Sequence, residues 1–491
     1  MPERDPTIRR SQDEYMDAED LAEFGRVNRE LVGRRQLAIW VHPETPRDPV
    51  AWILSQESTR IPEFLPLRHY RMAQSPFAFY RGSAIVMAHD LATGRPHTDL
   101  EVQLCGDAHL CNFGLFAAPN RELVLDINDF DETQRGPFEW DVFRLVTSFV
   151  LASKERGFPE HITSEITLRV GQSYREKMRV LSELSDVDIW YQRADEDHLK
   201  FEIQALHGKK GVSRLKGHLE KAKSRENWSA VLKMTEVVEG RRRFVNQPPL
   251  LIRVPLGESE LDLQRQLYLN YVSTLPPETQ AVFSRYRPID IAHKVVGVGS
   301  VGLLSYIYLL QGRHPEDLLV VQVKEARESV LSPFVETEAP PHQGQRVVYG
   351  QKMLQPASDL FLGWISGPEG RREFYVRQLR DMKWTPDLQS LSADSLLSVA
   401  HLCGETLARA HARSGSAIAI SAYLGKSSRF ERAMLDFARS YSHQVEADFD
   451  AFTARIADGS IVAQREVDIS APIIQASRTK GIQVASDPNR A

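Results

Sequence analysis

Apolar residues recur at helical spacing through Ser75–Gly94 (SPFAFYRGSAIVMAHDLATG), which opens on a Ser-Pro turn and closes on glycine, so one helix is predicted there. LEVQLCG then alternates as a half-buried strand does, and RELVLDINDFD predicts a second strand reached through the turn-prone AAPNRE. FEWDVFRLVTSFVLASKERG reads as a buried helix, and residues 160–235 continue as amphipathic helix with a charged outer face. VVEGRRRFVNQPPLLIRVP predicts a hairpin and a Pro-rich connection.

The texture changes near Ile289. DIAHKVVGVGSVGLLSYIYLLQG predicts strand, glycine turn, strand, and DLLVVQVKEA a third strand bearing a lysine near its end. HQGQRVVYGQKMLQPASD is a helix candidate, LFLGWIS and REFYVRQLR are two more strands, and DMKWTPD is a linker. LLSVAHLCGETLARAHARSG and RFERAMLDFARSYSHQVEADFDAF are strongly amphipathic helices. Residues 11–60 read as polar helix with an aromatic patch near Trp40 and Trp52. A five-stranded unit thus stands between two helical regions, an α+β pattern. The expected division is an N-terminal helical extension (1–60), a region with two short strands and a helical insertion (61–285), a β region (286–385), a C-terminal helical region packing back on the second region (386–475) and a disordered tail (476–491).

At 491 residues the chain can bury a large core without staples. A formal net charge of -5 offers no global basic field for nucleic acid. Three cysteines, Cys105, Cys111 and Cys403, do not make a disulfide framework and fit a reducing compartment. The polar N-terminus lacks a secretory apolar run, and no run reaches membrane-spanning length, so a cytoplasmic protein with no membrane partner is expected.

The densest chemistry lies in CGDAHLCNFG and LDINDFDET. Asp107 and Asn112 follow a strand, and Asp129 and Asp131 end the next one. Mg²⁺ takes oxygen ligands and is usually held by one or two carboxylates plus phosphate oxygens, and such loops can supply them. Asp-x4-Asn followed by Asp-Phe is the kinase-type catalytic pattern, in which one Asp orients the nucleophile while Asn and the second Asp hold metal. Asx turns on a hairpin are the bland alternative. Cys105, His109 and Cys111 could instead form a metal triad or a Cys-His nucleophile, although paired C-x2-4-C spacing is absent. Gly297-x-Gly299-x-x-Gly302 between two strands would let backbone N–H groups approach phosphate, and Lys324 in VVQVKEA would pair with it. In an ordinary kinase this loop and lysine come before the Asp-x4-Asn loop. Here they come after it, so the motifs are either unrelated or the lobes are circularly permuted.

Together SPFAFYRG, CGDAHLCNFG, DINDFDET, GPFEWDVFRL, VQVKEA, QRVVYGQKMLQ and YVRQLRDMK resemble the bacterial domain-of-unknown-function 2252 family, from about Trp40 to Tyr441. More remotely, the block resembles the aminoglycoside and choline phosphotransferase branch of the protein-kinase-like superfamily. Gly106, Asp107, His109 and Asn112 match its H-G-D-x-H-x-x-N loop; Asp129, Phe130 and Asp131 match its I-D-F-x-D segment; Gly136, Pro137 and Asp141 stand where its third segment falls, Asp141 in a structural role. The resemblance implies a kinase-like two-lobe fold with permuted lobe order. It implies an ATP- and Mg²⁺-dependent phosphotransferase using Asp107 and His109, metal on Asn112, Asp129 and Asp131, and phosphates on Gly297, Gly299, Gly302 and Lys324. LARAHARSG and the helix Phe79–Thr93 both resemble the helix that precedes the catalytic loop in that branch. Cys105 departs from the first His, and the helix His342–Asp359 carries no Glu for Lys324, leaving Glu325, Glu328, Glu336, Glu338 or Gln351 to serve. A nucleotide-binding pseudokinase, an AMP transferase and a metal-dependent hydrolase on Asp107, His109, Asp129 and Asp131 are the alternatives. Arg71, Arg81 and His109 could face the acceptor, which the sequence does not identify.

Overall fold

The computed structural model describes residues 15–40, 47–93, 95–224, 227–248, 250–254, 258–295, 301–336, 339–367, 372–379, 384–385 and 387–466. Gly297, Gly299, Glu338 and the tail from residue 476 lie outside these. The described chain is α+β. Its helical body is built from α1 (Pro76–Gly82), α2 (Ala84–Thr93), α3 (Phe138–Glu155), α4 (Glu160–Leu181), α5 (Glu196–Lys223), α6 (Gln343–Leu354), α7 (Ala393–Ser414) and α8 (Arg429–Ala457), with further helices before and between them.

The predicted helix over Ser75–Gly94 breaks at Ser83, whose φ of -121° and ψ of 39° are not helical. Ser75 caps α1 as its hydroxyl accepts the Ala78 N–H, and the break leaves Arg81 at the end of α1 beside the cleft described below. Helix α3 is buried from Phe138 through Ser153, as its apolar run implies. It packs on α8, with the Phe143 and Phe437 rings 4.2 Å apart, and each such buried ring contributes about 1.5–3 kcal/mol. One core cluster runs from Val32 to Ile461, so N-terminal, central and C-terminal segments share one interior.

Four small strands frame the acidic loops. β1 (Glu101–Leu104) pairs with β4 (Gln134–Pro137), and β2 (Phe113–Ala117) with β3 (Leu123–Ile127), all antiparallel. Strands β2 and β4 carry too little alternation to be read from sequence. The linker adds to β2, where the Leu115 N–H donates to the Trp384 carbonyl at 2.9 Å. β5 (Thr235–Val238) and β6 (Arg241–Phe244) form the predicted hairpin, turning at Glu239 and Gly240 with φ of 51° and 73°.

The larger sheet has six antiparallel strands rather than five: β7 (Leu251–Arg253), β8 (Arg287–Lys294), β9 (Ser305–Gln311), β10 (Leu318–Ala326), β11 (Gly363–Ser366) and β12 (Glu373–Gln378), in the order β11-β12-β10-β9-β8-β7. β7 is the end of the Pro-rich connection, too short to show a period, and it lies upstream of residue 286, where the sequence sets the start of the β region. Helix α6 packs on β10, β11 and β12, and it stops at Leu354, short of the predicted Asp359. Helix α7 ends against β1, where the Gln103 N–H donates to Ser414 Oγ at 3.0 Å. Among the described residues no helix is long and apolar enough to cross a membrane.

Candidate functional site

Between the six-stranded sheet and the acidic loops lies a cavity of about 1610 Å³. Asp107, His109, Asn112, Asp129, Asp131 and Lys324 all line it. Gly302 does not, and Gly297 and Gly299 lie outside the described residues.

The first acidic loop is held from beneath. Asp141, at the start of α3, accepts the N–H groups of Cys105 at 2.7 Å and Gly106 at 3.1 Å. Its carboxylate also meets His411 at 3.3 Å, and His411 in turn bonds the Tyr174 hydroxyl at 2.8 Å. This is the structural part expected of Asp141. Gly106 has a φ of +83°, and a Cβ there would lie 2.1 Å from the Glu132 carbonyl oxygen, so only glycine fits where the two acidic loops touch. The Asn112 amide donates to the Asp107 carbonyl at 2.7 Å, closing the loop across five residues.

Asp107 is aimed by a buried arginine. Arg144 Nε donates to its Oδ1 at 2.7 Å, while the same guanidinium bonds the Tyr80 carbonyl and lies 4.0 Å from the Tyr80 ring centre. Burial opposes the Arg144 charge, but Asp107, Tyr80 and Tyr441 together outweigh it and hold its pKa above the ordinary value. His109 Nε2 stands 3.7 Å from Asp107 Oδ2. Burial, helped by Arg81 and Arg144, pushes His109 down to about 4 against the pull of Asp107, so the ring is neutral at pH 7.

Opposite lies Lys324 on β10. Residues i and i+2 of a strand share a face, which sends Gln322 and Lys324 together into the cavity. Lys324 ion-pairs with Asp131 and stands 3.6 Å from Asp129. Burial works against its ammonium, but the two carboxylates prevail and raise its pKa. Asp131 also accepts the Tyr375 hydroxyl at 2.7 Å from β12, the residue opposite Lys324 in the sheet register. Asp129 is more open, with 37% of its side chain exposed, and faces the cavity.

Two of the partners proposed for Lys324 are engaged elsewhere, while Lys324 itself pairs with Asp131. Glu325 bonds Arg372 and the Leu304 N–H, and the Gln351 amide donates to Gln355. Helix α6 instead contributes Arg346, which donates to the carbonyls of Asp131, Thr133 and Arg327 and so ties the helix to the second acidic loop. Arg346, Arg144, Tyr375 and Arg377 all went unread in the sequence. For Arg346 and Arg144 the available signal was a charge inside an apolar helical run, as in QRVVYG and DVFRL.

The cysteine readings fare differently. Burial pushes the thiols of Cys105 and Cys111 up, the opposite of what a thiolate nucleophile needs. Among the described residues one group of three side chains could hold a metal ion, His198, Glu202 and Glu405, and it excludes the Cys105–His109–Cys111 triad. None of those three lines the cavity. His198 bonds Glu405 at 3.0 Å and His401 bonds Glu202 at 2.9 Å, a crossed pair that pins α5 to α7.

The molecule is therefore an α+β protein with a deep, charged cleft between a β-sheet and a helical body. A family model described as "Uncharacterized protein conserved in bacteria (DUF2252)" matches residues 60–455, and the chain belongs to that family. No curated protein and no solved structure matches it.

Proposed function

We propose that this protein is an ATP- and Mg²⁺-dependent phosphotransferase on a kinase-like scaffold whose two lobes are permuted in sequence. The observation that carries the reading is the meeting of Lys324 with Asp129 and Asp131, about 190 residues away, in the cleft that also receives Asp107 and Asn112. Coincident motifs have no reason to converge. The packing of α6 on the six-stranded sheet is consistent with a nucleotide-binding lobe, and α7 running up to β1 supports a chain order joined differently from an ordinary kinase. That contact favours LARAHARSG, on α7, as the helix preceding the catalytic loop. ATP and Mg²⁺ are the expected cofactors and an unidentified hydroxyl or amine compound the acceptor.

Each side chain has a task in this scheme. Asp129 and the Asn112 amide oxygen would hold Mg²⁺ with Asp131 assisting, in keeping with the one or two carboxylates Mg²⁺ takes beside phosphate oxygens, and the ion would neutralise phosphate charge there. Lys324 moves its charge onto the phosphates. Asp107, fixed by Arg144, orients the acceptor and receives its proton. The acceptor oxygen or nitrogen bonds to the γ-phosphorus, the bond from phosphorus to the β–γ bridging oxygen breaks, and ADP leaves with that electron pair. Positioning and charge neutralisation supply most of such a rate enhancement. Asp129→Asn is expected to abolish transfer of γ-label from ATP while thermal melting stays within a few degrees of wild type. Full activity in that variant refutes the metal assignment.

A nucleotide-binding regulator is the second reading. It is favoured by the direct pairing of Lys324 with Asp131, without a helix-borne Glu to draw the lysine away. It predicts saturable binding of ATP with no label transfer.

A further inference from the structure

We infer that the acceptor is an anion, a hydroxyl or amine compound with a neighbouring carboxylate or phosphate, seated in the cleft between Arg81 and His109. The inference rests on the phosphotransferase reading and names the substrate class of the same site.

Room comes first. Ligand sites commonly measure about 300–1,000 Å³, and a cavity of about 1610 Å³ holds a nucleotide with space for a second ligand. Lys324, Gln322 and Arg377 line its sheet wall. The wall across from them is built by the end of α1, the start of α2 and the loop Cys105–Cys111.

That second wall has polar groups without partners. His109 is 4% exposed, and its Nδ1 is buried with no hydrogen-bond partner although the residue lines the cavity. A buried polar atom left unpaired costs free energy unless a ligand or water satisfies it. Arg81 Nε is likewise buried without a partner, and the guanidinium stands 6.0 Å from the Phe77 ring centre at the cavity surface. Its charge reaches both His109 and Cys111.

Charge decides the class. Arg60, Arg68, Arg81 and Arg327 all reach the cavity lining; Arg60 and Arg68 bond backbone carbonyls and Arg327 pairs with Glu325, which leaves Arg81 as the cation aimed at the acceptor. Of the carboxylates near these arginines, Asp107 is engaged by Arg144, Glu132 by the Val330 N–H at 2.7 Å, and Glu325 by Arg327 and Arg372, while Glu328 is exposed beside Arg327, away from Arg81 and His109 in the chain. Recognition of a cationic acceptor would require open carboxylates on this wall, whereas a planar guanidinium suits carboxylate or phosphate. The His109 ring offers its unpartnered Nδ1 as a hydrogen-bonding group to the ligand.

The test uses the full chain with Mg²⁺ and γ-labelled ATP, and a bacterial small-molecule extract divided on an anion exchanger. Label is expected on a compound from the retained, anionic fraction. Arg81→Gln is expected to raise the KM for that fraction by at least about tenfold, the order of one charge-assisted hydrogen bond, with the KM for ATP unchanged and Arg81→Lys intermediate. Label appearing only with the unretained fraction, or an unchanged KM in Arg81→Gln, overturns the inference. Stabilisation of the protein by Mg·ADP separates the two levels. If it persists while neither fraction is labelled, the anionic acceptor is refuted and nucleotide binding stands; if it is absent too, the phosphotransferase reading falls with it.

Discussion

Replacing Lys324 by Met removes the cation between Asp129 and Asp131. It is expected to raise the KM for ATP about 10–100-fold, the order of a charge-assisted contact, as read from initial rates. Two neighbouring residues make folding pH-dependent in opposite senses. The His109 imidazole titrates near 4 when folded and near 6.5 when unfolded, so the unfolded chain takes up the proton first. Stability therefore falls as pH drops from about 6.5 towards 4, and His109→Gln should flatten that loss in denaturant titrations. Burial instead pushes the Glu132 carboxyl up to about 7 from 4.5, so the folded chain holds its proton more tightly. Its contribution is lost as pH rises through 7. Glu132→Gln, which can still accept the Val330 N–H, should be more stable than wild type at pH 8, with the gap closing below about pH 4.5.

At the scale of elements, two contacts fix the acidic loops. Gly106→Ala sets a Cβ against the Glu132 carbonyl at a positive φ and should cost more than about 1 kcal/mol in chemical denaturation. Arg346→Ala cuts three carbonyl contacts between α6 and the second loop. It should lower activity more than Arg346→Lys, because an ammonium cannot reproduce the planar fork. Elements with a clear period were legible in the sequence: α3, α7 and α8 carry long apolar stripes, and β9 and β10 are strongly apolar. The residues of the acidic loops were legible because Asp and Asn at that spacing carry chemistry. Strand β2 and the break at Ser83 were not, because pairing with β3 and with Trp384, and the packing of Gly82 on Met72, are long-range or side-chain facts with no local period. With no Glu on α6, the sequence left Glu325, Glu328, Glu336, Glu338 or Gln351 as partners for Lys324, whereas the fold pairs it with Asp131 on the second acidic loop.

At the scale of the molecule, one core joins Val32 with Ile461 and draws on α3, α4, α7 and α8 together. A fragment ending at residue 385 loses α7 and α8 and exposes the apolar faces of α3 and α4. It is expected to lack a cooperative thermal transition in circular dichroism, whereas an independent N-terminal domain would keep one. The same unity explains how residues far apart in sequence share a cleft: the sheet rests on the helical body through α6, and α7 carries the body back to β1. The central claim is that this cleft is a Mg·nucleotide site. Its most direct test is isothermal titration of ATP into the full chain with Mg²⁺ and with EDTA, alongside Asp129→Asn. The account predicts saturable one-to-one binding that weakens when Mg²⁺ is removed, and loss of that Mg²⁺ dependence in the variant. Absence of binding in the presence of Mg²⁺, or binding unaffected by both Mg²⁺ and the substitution, would contradict it.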